Sequence, residues 1–365
     1  MAHKSLRLLV VDDSALMRKH LTQLFRQHGF EVETARNGLE ALEANVRFQP
    51  DVVTLDINMP EMDGLTCLSR LMAERPCPVV MLSSLTEKGA LATLEAMALG
   101  AVDYLAKPSG TISLSIDVIE QLLLDKVRVA ASAKVRISRG LTRRLREQNE
   151  RASRSPAVPV PVPPLRKAAP TQRAGALPGL VLIGVSTGGP RTLEEILPQL
   201  PADFPWPVVV AQHMPYGFTG ALARRMDGIC PLHVTEVERM VELAPGHIYI
   251  ARGDADVAIT RRAEQHYIAA RPAASQYLWH PSVEALVRSA MDCVAPERLI
   301  CVQLTGMGND GAQAMAEVHR QGGRTIAESE QTAVVFGMPA ALIELKGATL
   351  TLPSDRIARQ LLDWV

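Results

Sequence analysis

Twice along this chain, short apolar runs alternate with stretches of helical periodicity, and the two series are separated by a segment that can join neither. From residue 6 to about 130, Leu6 to Val11, Val52 to Leu55, Val79 to Leu82 and Ala101 to Leu105 have the length and apolar density of buried strands. Strands of that kind, joined by helical crossovers, predict a parallel sheet with helices on both faces. The rhythm resumes at about residue 179 with Leu180 to Val185, Val208 to Gln212, Ile248 to Ala251, Leu299 to Leu304 and Thr325 to Ala327. Between the series, Lys134 through Arg146 is a basic stretch that could prolong a helix, and Pro156 to Pro164 is too proline-rich to pack as helix or strand. The expected organisation is an α/β domain with a five-stranded parallel sheet over residues 1–130, a basic, proline-rich linker over 131–176, and a doubly wound α/β domain over 177–365. A length of 365 residues suits two cores better than one.

Composition narrows the function classes. The net charge is zero, yet residues 126–176 hold thirteen Lys or Arg against only Glu147 and Glu150, so a basic linker joins two more acidic domains. The five cysteines form no CxxC pair and sit mostly in apolar surroundings, which fits reduced thiols and a cytoplasmic protein rather than a disulfide framework or zinc site. No apolar run reaches the roughly 18 residues of a membrane span, and MAHKSLRLLVVDD reaches its aspartates too soon for a signal peptide. Membrane insertion is not expected, and with no helix-turn-helix pattern neither is nucleic-acid binding. A monomer is the default expectation.

In a parallel sheet, functional groups collect beyond the carboxyl ends of the strands. In the first series Asp12 and Asp13 end the run from Leu6, Asp56 the run from Val52, Ser83 the run from Val79 and Lys107 the run from Ala101. A carboxylate accepts a phosphoryl group when a divalent cation neutralises the developing charge and a second cation clamps the phosphoryl oxygens. Asp13 and Asp56 are placed to hold Mg²⁺, Asp12 to help through water, Lys107 to pair with the phosphoryl group, and Ser83 to donate a hydrogen bond to it. A cis bond at Pro108 would aim Lys107 inward. The bland alternative, solvated carboxylates at strand ends, suits any one of these residues alone better than it suits the set.

VVDDSALMR, LDINMPEMDG, MLSSLT and GAVDYLAKP resemble the receiver domain of bacterial response regulators over about the first 125 residues. The resemblance implies a flavodoxin-like fold with Asp56 as the phosphorylated residue and the carbonyl of Asn58 completing the metal site. It further implies that Ser83 and Tyr104 shift when the phosphoryl group arrives, and that a histidine kinase is the phosphodonor.

The second series presents Gly184-Val185-Ser186-Thr187-Gly188-Gly189 directly after a strand. A serine hydroxyl attacks a carbonyl only if a base takes its proton, a third group orients the base and donors stabilise the oxyanion. Ser186 stands on a turn where Gly188, Gly189 and Pro190 suit a strand-to-helix bend. His213 ends the run VVVAQH, and Asp310 lies in LTGMGNDG after another strand, where it could accept the second ring proton of His213. Each has a plain alternative: a phosphate-binding turn, a satisfied histidine, a cap for the helix near Ala312. The phosphate reading lacks the lysine of a Walker motif and the acidic ribose ligand of a dinucleotide site, so acyl hydrolysis fits better. His233, His247, His280 and His319 have no metal-ligand spacing, and Glu194 and Glu195 read as the wet face of a helix.

GVSTGGP, QHMP with FTGALARRM, LTGMGNDGA and FGMP resemble the catalytic domain of the CheB family of chemotaxis protein-glutamate methylesterases, over roughly residues 179–350. The resemblance implies that Ser186 attacks the γ-methyl ester of glutamate on the cytoplasmic helices of a methyl-accepting chemoreceptor, with His213 as base and Asp310 as its orienter. It implies that Thr187 and Met307 border the oxyanion pocket, that methanol leaves, and that receptor glutamine is deamidated by the same machinery. No cofactor is expected in the esterase site; Mg²⁺ serves the receiver. The chain departs from the family where Ile-Ala-Pro-Gly is usual, carrying Ile250-Ala251-Arg252-Gly253 instead, and has Asp254 to Val257 where a histidine is usual.

Overall fold

The structure is a computed structural model that describes residues 5–84, 86–107, 112–133 and 177–365. The expected linker beyond residue 133 and the expected turn at Pro108 lie outside those residues. The chain separates into two compact units, Met1–Pro161 and Val162–Val365.

In the first unit β1 (Arg7–Val11), β2 (Glu31–Ala35), β3 (Val52–Asp56), β4 (Val79–Ser84) and β5 (Asp103–Lys107) form one parallel sheet in the order β2-β1-β3-β4-β5. This is the flavodoxin-like order, with its switch point at β1/β3. The helices are α1 (Ala15–Gln27), α2 (Gly38–Phe48), α3 (Gly64–Glu74), α4 (Glu87–Leu99) and α5 (Ile112–Ala131). The first four begin where a short polar side chain satisfies an orphan backbone N–H: Ser14 for Met17, Asn37 for Glu40, Asp63 for Thr66 and Thr86 for Gly89. Because β1 and β3 are buried on both faces (Leu8, Leu9, Val10, Val11, Val52, Val53, Leu55), their polar residues can emerge only at the strand ends. The acidic residues stand there.

The second unit is built on β6 (Leu180–Val185), β7 (Val208–Gln212), β8 (His233–Val237), β9 (Val241–Glu242), β10 (His247–Ala251), β11 (Ala255–Arg262), β12 (Gln265–Pro272), β13 (Leu299–Gln303), β14 (Arg324–Glu328) and β15 (Leu350–Leu352). Seven of these make a parallel sheet in the order β15-β14-β13-β6-β7-β10-β8. The chain winds outward from β6 through β7, then returns to β6's other side as β13, so the switch point lies between β6 and β13. Its helices are α6 (Gly189–Ile196), α7 (Phe218–Asp227), α8 (Val283–Met291), α9 (Ala312–Arg320), α10 (Met338–Glu344) and α11 (Ser354–Trp364).

Sequence periodicity does not anticipate the three-stranded antiparallel excursion β11-β12-β9. It is a hairpin turning at Ala263 and Glu264, Arg262 facing Gln265, and its inner face, Val257, Ile259 and Ile268, joins the core with Val283, Leu286 and Val287 of α8. The expectation that Glu194 and Glu195 face water is corrected. Glu194 pairs with Arg225 of α7, and Glu195 accepts the Ser354 hydroxyl at 2.9 Å, so the two carboxylates brace α6 against its neighbours.

All five cysteines are free thiols. Burial pushes Cys67 and Cys77 up to about 12, so both are inert side chains of the core.

Candidate active site

Two polar clusters stand at strand ends, one in each unit. In the first, Asp12, Asp13 and Asp56 can each offer an oxygen such that the three atoms lie within 4.8 Å of one another. Among the described residues no other group of three or more acidic, histidine or cysteine side chains is so arranged. Lys107 Nζ lies 2.8 Å from Asp12 Oδ2 and 2.7 Å from Asp56 Oδ2. Burial pushes the Asp56 carboxyl above the usual carboxylate range, the attraction of Lys107 opposing and the charge of Asp12 adding to it. Burial alone would lower the Lys107 ammonium, but Asp56 and Asp12 outweigh it and raise it. Hard carboxylate oxygens converging at that spacing suit a small divalent cation. Asn58 lies two residues beyond β3. The Ser83 hydroxyl donates to the Gly89 carbonyl at 3.1 Å. Tyr104 is buried with the Lys126 ammonium 5.6 Å from its ring centroid.

In the second unit the strands β6, β7 and β13 are adjacent and in register, Val185 beside Gln212 and Gly184 beside Gln303. Ser186, His213 and the loop Leu304–Gly311 therefore leave the sheet side by side at its switch point. His213 Nε2 lies 2.8 Å from Asp310 Oδ2. Asp310 does not cap α9, where Gly311 takes that position without a side-chain bond. Its carboxylate instead caps α8, accepting from the N–H groups of Val283 at 2.7 Å and Glu284 at 3.0 Å and from the Ser282 hydroxyl at 3.0 Å. Burial raises the Asp310 carboxyl, but the hydrogen bond and charge of His213 and these two N–H groups outweigh it, leaving it below the usual range. An ionised Asp310 can only accept, so Nε2 carries the ring proton and Nδ1 is the basic nitrogen. His213 Nδ1 is buried and has no hydrogen-bond partner among the described residues. A buried, unpaired lone pair of this kind is costly unless something uses it.

Ser186 leaves the neighbouring strand. Its N–H donates to Thr305 O at 2.9 Å, and the N–H of His213 donates to Val185 O at 3.0 Å. No hydrogen bond joins Ser186 Oγ to the ring among the described residues; in ligand-free sites this contact is commonly long and tightens on substrate binding. Thr187 follows Ser186 on the bend into α6. A β-carbon at Gly306 would lie 2.7 Å from Ser186 Cβ, so the loop carrying Met307 runs against the serine.

Sequence reasoning missed four residues that hold this arrangement. The Gln212 carboxamide donates to both Ser186 O at 2.9 Å and His213 O at 3.1 Å, tying two of the three segments together. Gln303 Nε2 donates to Asp310 O at 2.7 Å and anchors the third. The Trp279 ring stacks parallel on His213, centroids 5.7 Å apart. His280, given no chemistry from sequence, bonds Asp256 Oδ1 at 2.9 Å; the same carboxylate accepts from Ser282 N, next to Asp310's cap. Both glutamines end their strands, the only signal that would have found them.

Comparisons with known proteins follow the same division. Residues 181–361 match the CheB methylesterase family model and residues 8–118 the response regulator receiver domain model. The chain is 58% identical over 360 residues to a protein-glutamate methylesterase/protein-glutamine glutaminase of Rhodospirillum rubrum, covering 98% of this chain and 96% of the relative. It is 54% identical over 362 residues to one from Rhodopseudomonas palustris, covering 98% of each. The crystal structure of the Thermotoga maritima CheB methylesterase catalytic domain is 39% identical and superposes with a TM-score of 0.50, covering 53% of this chain and 100% of that one.

Proposed function

Because the chain belongs to the CheB methylesterase family and carries a response regulator receiver domain ahead of its esterase domain, we propose a phosphorylation-activated serine hydrolase that demethylates glutamate γ-methyl esters on chemoreceptors and deamidates receptor glutamines. Its role is adaptation in a chemosensory pathway. The proposed domains are a receiver over 1–130, a linker over 131–176 and the catalytic domain over 177–365. The observation that carries the catalytic reading is the His213 ring, held through Nε2 by Asp310 and leaving a buried Nδ1 with no partner among the described residues, on the strand end next to the one that bears Ser186.

In this reading Ser186 Oγ attacks the ester carbonyl as His213 Nδ1 takes its proton, and Asp310 stabilises the imidazolium through Nε2–H. The oxyanion is received by N–H groups of the Thr187 bend and the Met307 loop. The imidazolium returns its proton to the leaving methoxide, methanol departs, and a water activated by the same nitrogen cleaves the serine ester to give glutamate. With a glutamine substrate the proton goes to departing ammonia, a poorer leaving group, so deamidation is the slower reaction on the same serine. The test is whether both methanol and ammonia are released from receptor by the phosphorylated chain. A module that only docks receptor helices releases neither.

We assign phosphorylation to Asp56 by a histidine kinase, with Lys107, Ser83, Tyr104 and Asp12 supporting the phosphoryl group. Asp13, Asp56 and the Asn58 carbonyl are assigned to Mg²⁺, which when bound neutralises charge on the phosphoryl oxygens. No helix among the described residues is long and apolar enough to cross a membrane, and the cytoplasm is the proposed site of action.

Mg²⁺ should raise the unfolding temperature of the receiver at neutral pH by a few degrees, corresponding to about 1–2 kcal/mol at tenfold or greater excess over its dissociation constant. A ligating carboxylate must be deprotonated. Because Asp56 is raised, the proton competes from a higher pH than at an ordinary carboxylate. The Mg²⁺ increment should be full above that raised value, shrink as pH falls through it, and vanish in Asp13→Asn; an increment that survives Asp13→Asn would place the cation elsewhere.

A further inference from the structure

From the esterase reading above, and deepening it, we propose that Arg252 and Tyr216 form a carboxylate-binding subsite that selects substrate segments carrying an acidic side chain near the scissile ester.

Tyr216 is three residues past His213 and 53% exposed. The guanidinium carbon of Arg252 lies 4.5 Å from the Tyr216 ring centroid, within cation–π range. Two contacts lock this pair to the catalytic loop. Asp254 Oδ2 accepts the Tyr216 N–H at 3.1 Å, and Gly253 packs so closely that a β-carbon there would lie 2.4 Å from Met214 O and 2.5 Å from Tyr216 N. The loop after β10 and the loop holding His213 therefore move as one.

The charge has no internal owner. Arg225, Arg288 and Arg320 each pair with a glutamate. Arg252 has no carboxylate or hydrogen-bond partner among the described residues, although it is half-buried and its Nε is fully buried. A partly desolvated guanidinium held over a ring, without a counter-charge, is primed for a planar anion that takes two parallel N–H bonds. Three trans peptide steps separate Tyr216 from His213, at most about 11 Å between Cα atoms. An α-helical substrate rises about 5.4 Å per turn, so the carboxylate it meets belongs one or two turns from the ester. Such a group is chemically at hand, because each turnover of this enzyme creates a glutamate. The subsite would then favour an ester whose neighbour has already been converted or was acidic from the start.

The experiment uses the full chain with a small phosphodonor and paired helical peptides. Each peptide carries one glutamyl γ-methyl ester, with glutamate in one and glutamine in the other at positions three, four or seven residues away. At low salt the wild type should favour the glutamate peptide in kcat/KM for methanol release by about five- to tenfold at one of these spacings. Arg252→Gln should bring the ratio close to one, Arg252→Lys should keep part of it, and Arg252→Glu should invert it. In the wild type, the preference should shrink as salt is raised, a readout that needs no variant. Peptide binding to the Ser186→Ala chain, which requires no turnover, separates this inference from the esterase reading. Selective binding without methanol release would uphold the subsite and sink the esterase; methanol release with equal kcat/KM and equal binding at every spacing would do the reverse.

Discussion

With Ser186 replaced by alanine, methanol release from esterified receptor is expected to fall by about ten-thousand- to million-fold, and ammonia release from amidated receptor to fall with it. In the proposed mechanism the magnitude follows from removing the only atom that forms the acyl intermediate, which leaves the proposed Thr187 and Met307 donors to polarise the carbonyl for direct attack by water. The fold should be untouched. Among the described residues the Ser186 hydroxyl makes no hydrogen bond, and the backbone bonds that place the residue, to Thr305 O and from Gln212 and Gly189, survive the change. Equal unfolding temperatures for variant and parent would show that the loss is chemical. If ammonia release persists while methanol release disappears, one serine does not serve both reactions.

Asp310→Asn should cost both catalysis and stability, because that carboxylate is committed on both oxygens. Oδ2 accepts from His213 Nε2 and the Val283 N–H, and Oδ1 from the Ser282 hydroxyl and the Glu284 N–H. An asparagine must turn its NH₂ toward one of those pairs, so a backbone N–H at the start of α8 faces a donor whichever way it turns. Facing the NH₂ to His213 also forces the ring into the wrong tautomer. We expect kcat to drop by about a thousand- to ten-thousand-fold and stability by about 1–3 kcal/mol, a few degrees in unfolding temperature. The pH dependence has a definite sign. Asp310 is depressed in the folded state, so its stabilisation is present above the unfolded carboxylate value and lost as pH falls through the folded one. The stability gap between parent and variant should therefore narrow in acid; a gap independent of pH would mean that the charge at 310 is not what holds α8.

The positions of the reactive residues could be read from the chain because parallel strands buried on both faces have only one place for polar groups. Asp12, Asp56, Lys107, Ser186 and His213 each stand at the end of an apolar run, and all lie at strand ends in the structure. β2 is harder to read, since Glu31–Ala35 alternates charge with apolar residues on an edge strand. The β11-β12 hairpin hides for a related reason: its strands end in the exposed Arg261, Arg262, Arg271 and Pro272, so only Val257, Ile259 and Ile268 mark it as core. Which imidazole nitrogen meets Asp310, and that Asp310 caps α8 rather than the adjacent α9, depend on segments 97 and 26 to 28 residues away in sequence meeting in space. Trp279 over His213 belongs to the same class. No local pattern announces a ring that becomes relevant only after β11 has positioned, through Asp256, the loop that carries it.

The most direct test of a phosphoryl switch governing a serine hydrolase is methanol release from esterified receptor membranes, measured with and without a small phosphodonor, on the intact chain and on Asp56→Asn. The account predicts that the phosphodonor raises the rate of the intact chain severalfold or more and leaves the variant at the basal rate. A phosphodonor that stimulates the Asp56→Asn chain as strongly as the intact one, or that stimulates neither, would contradict it.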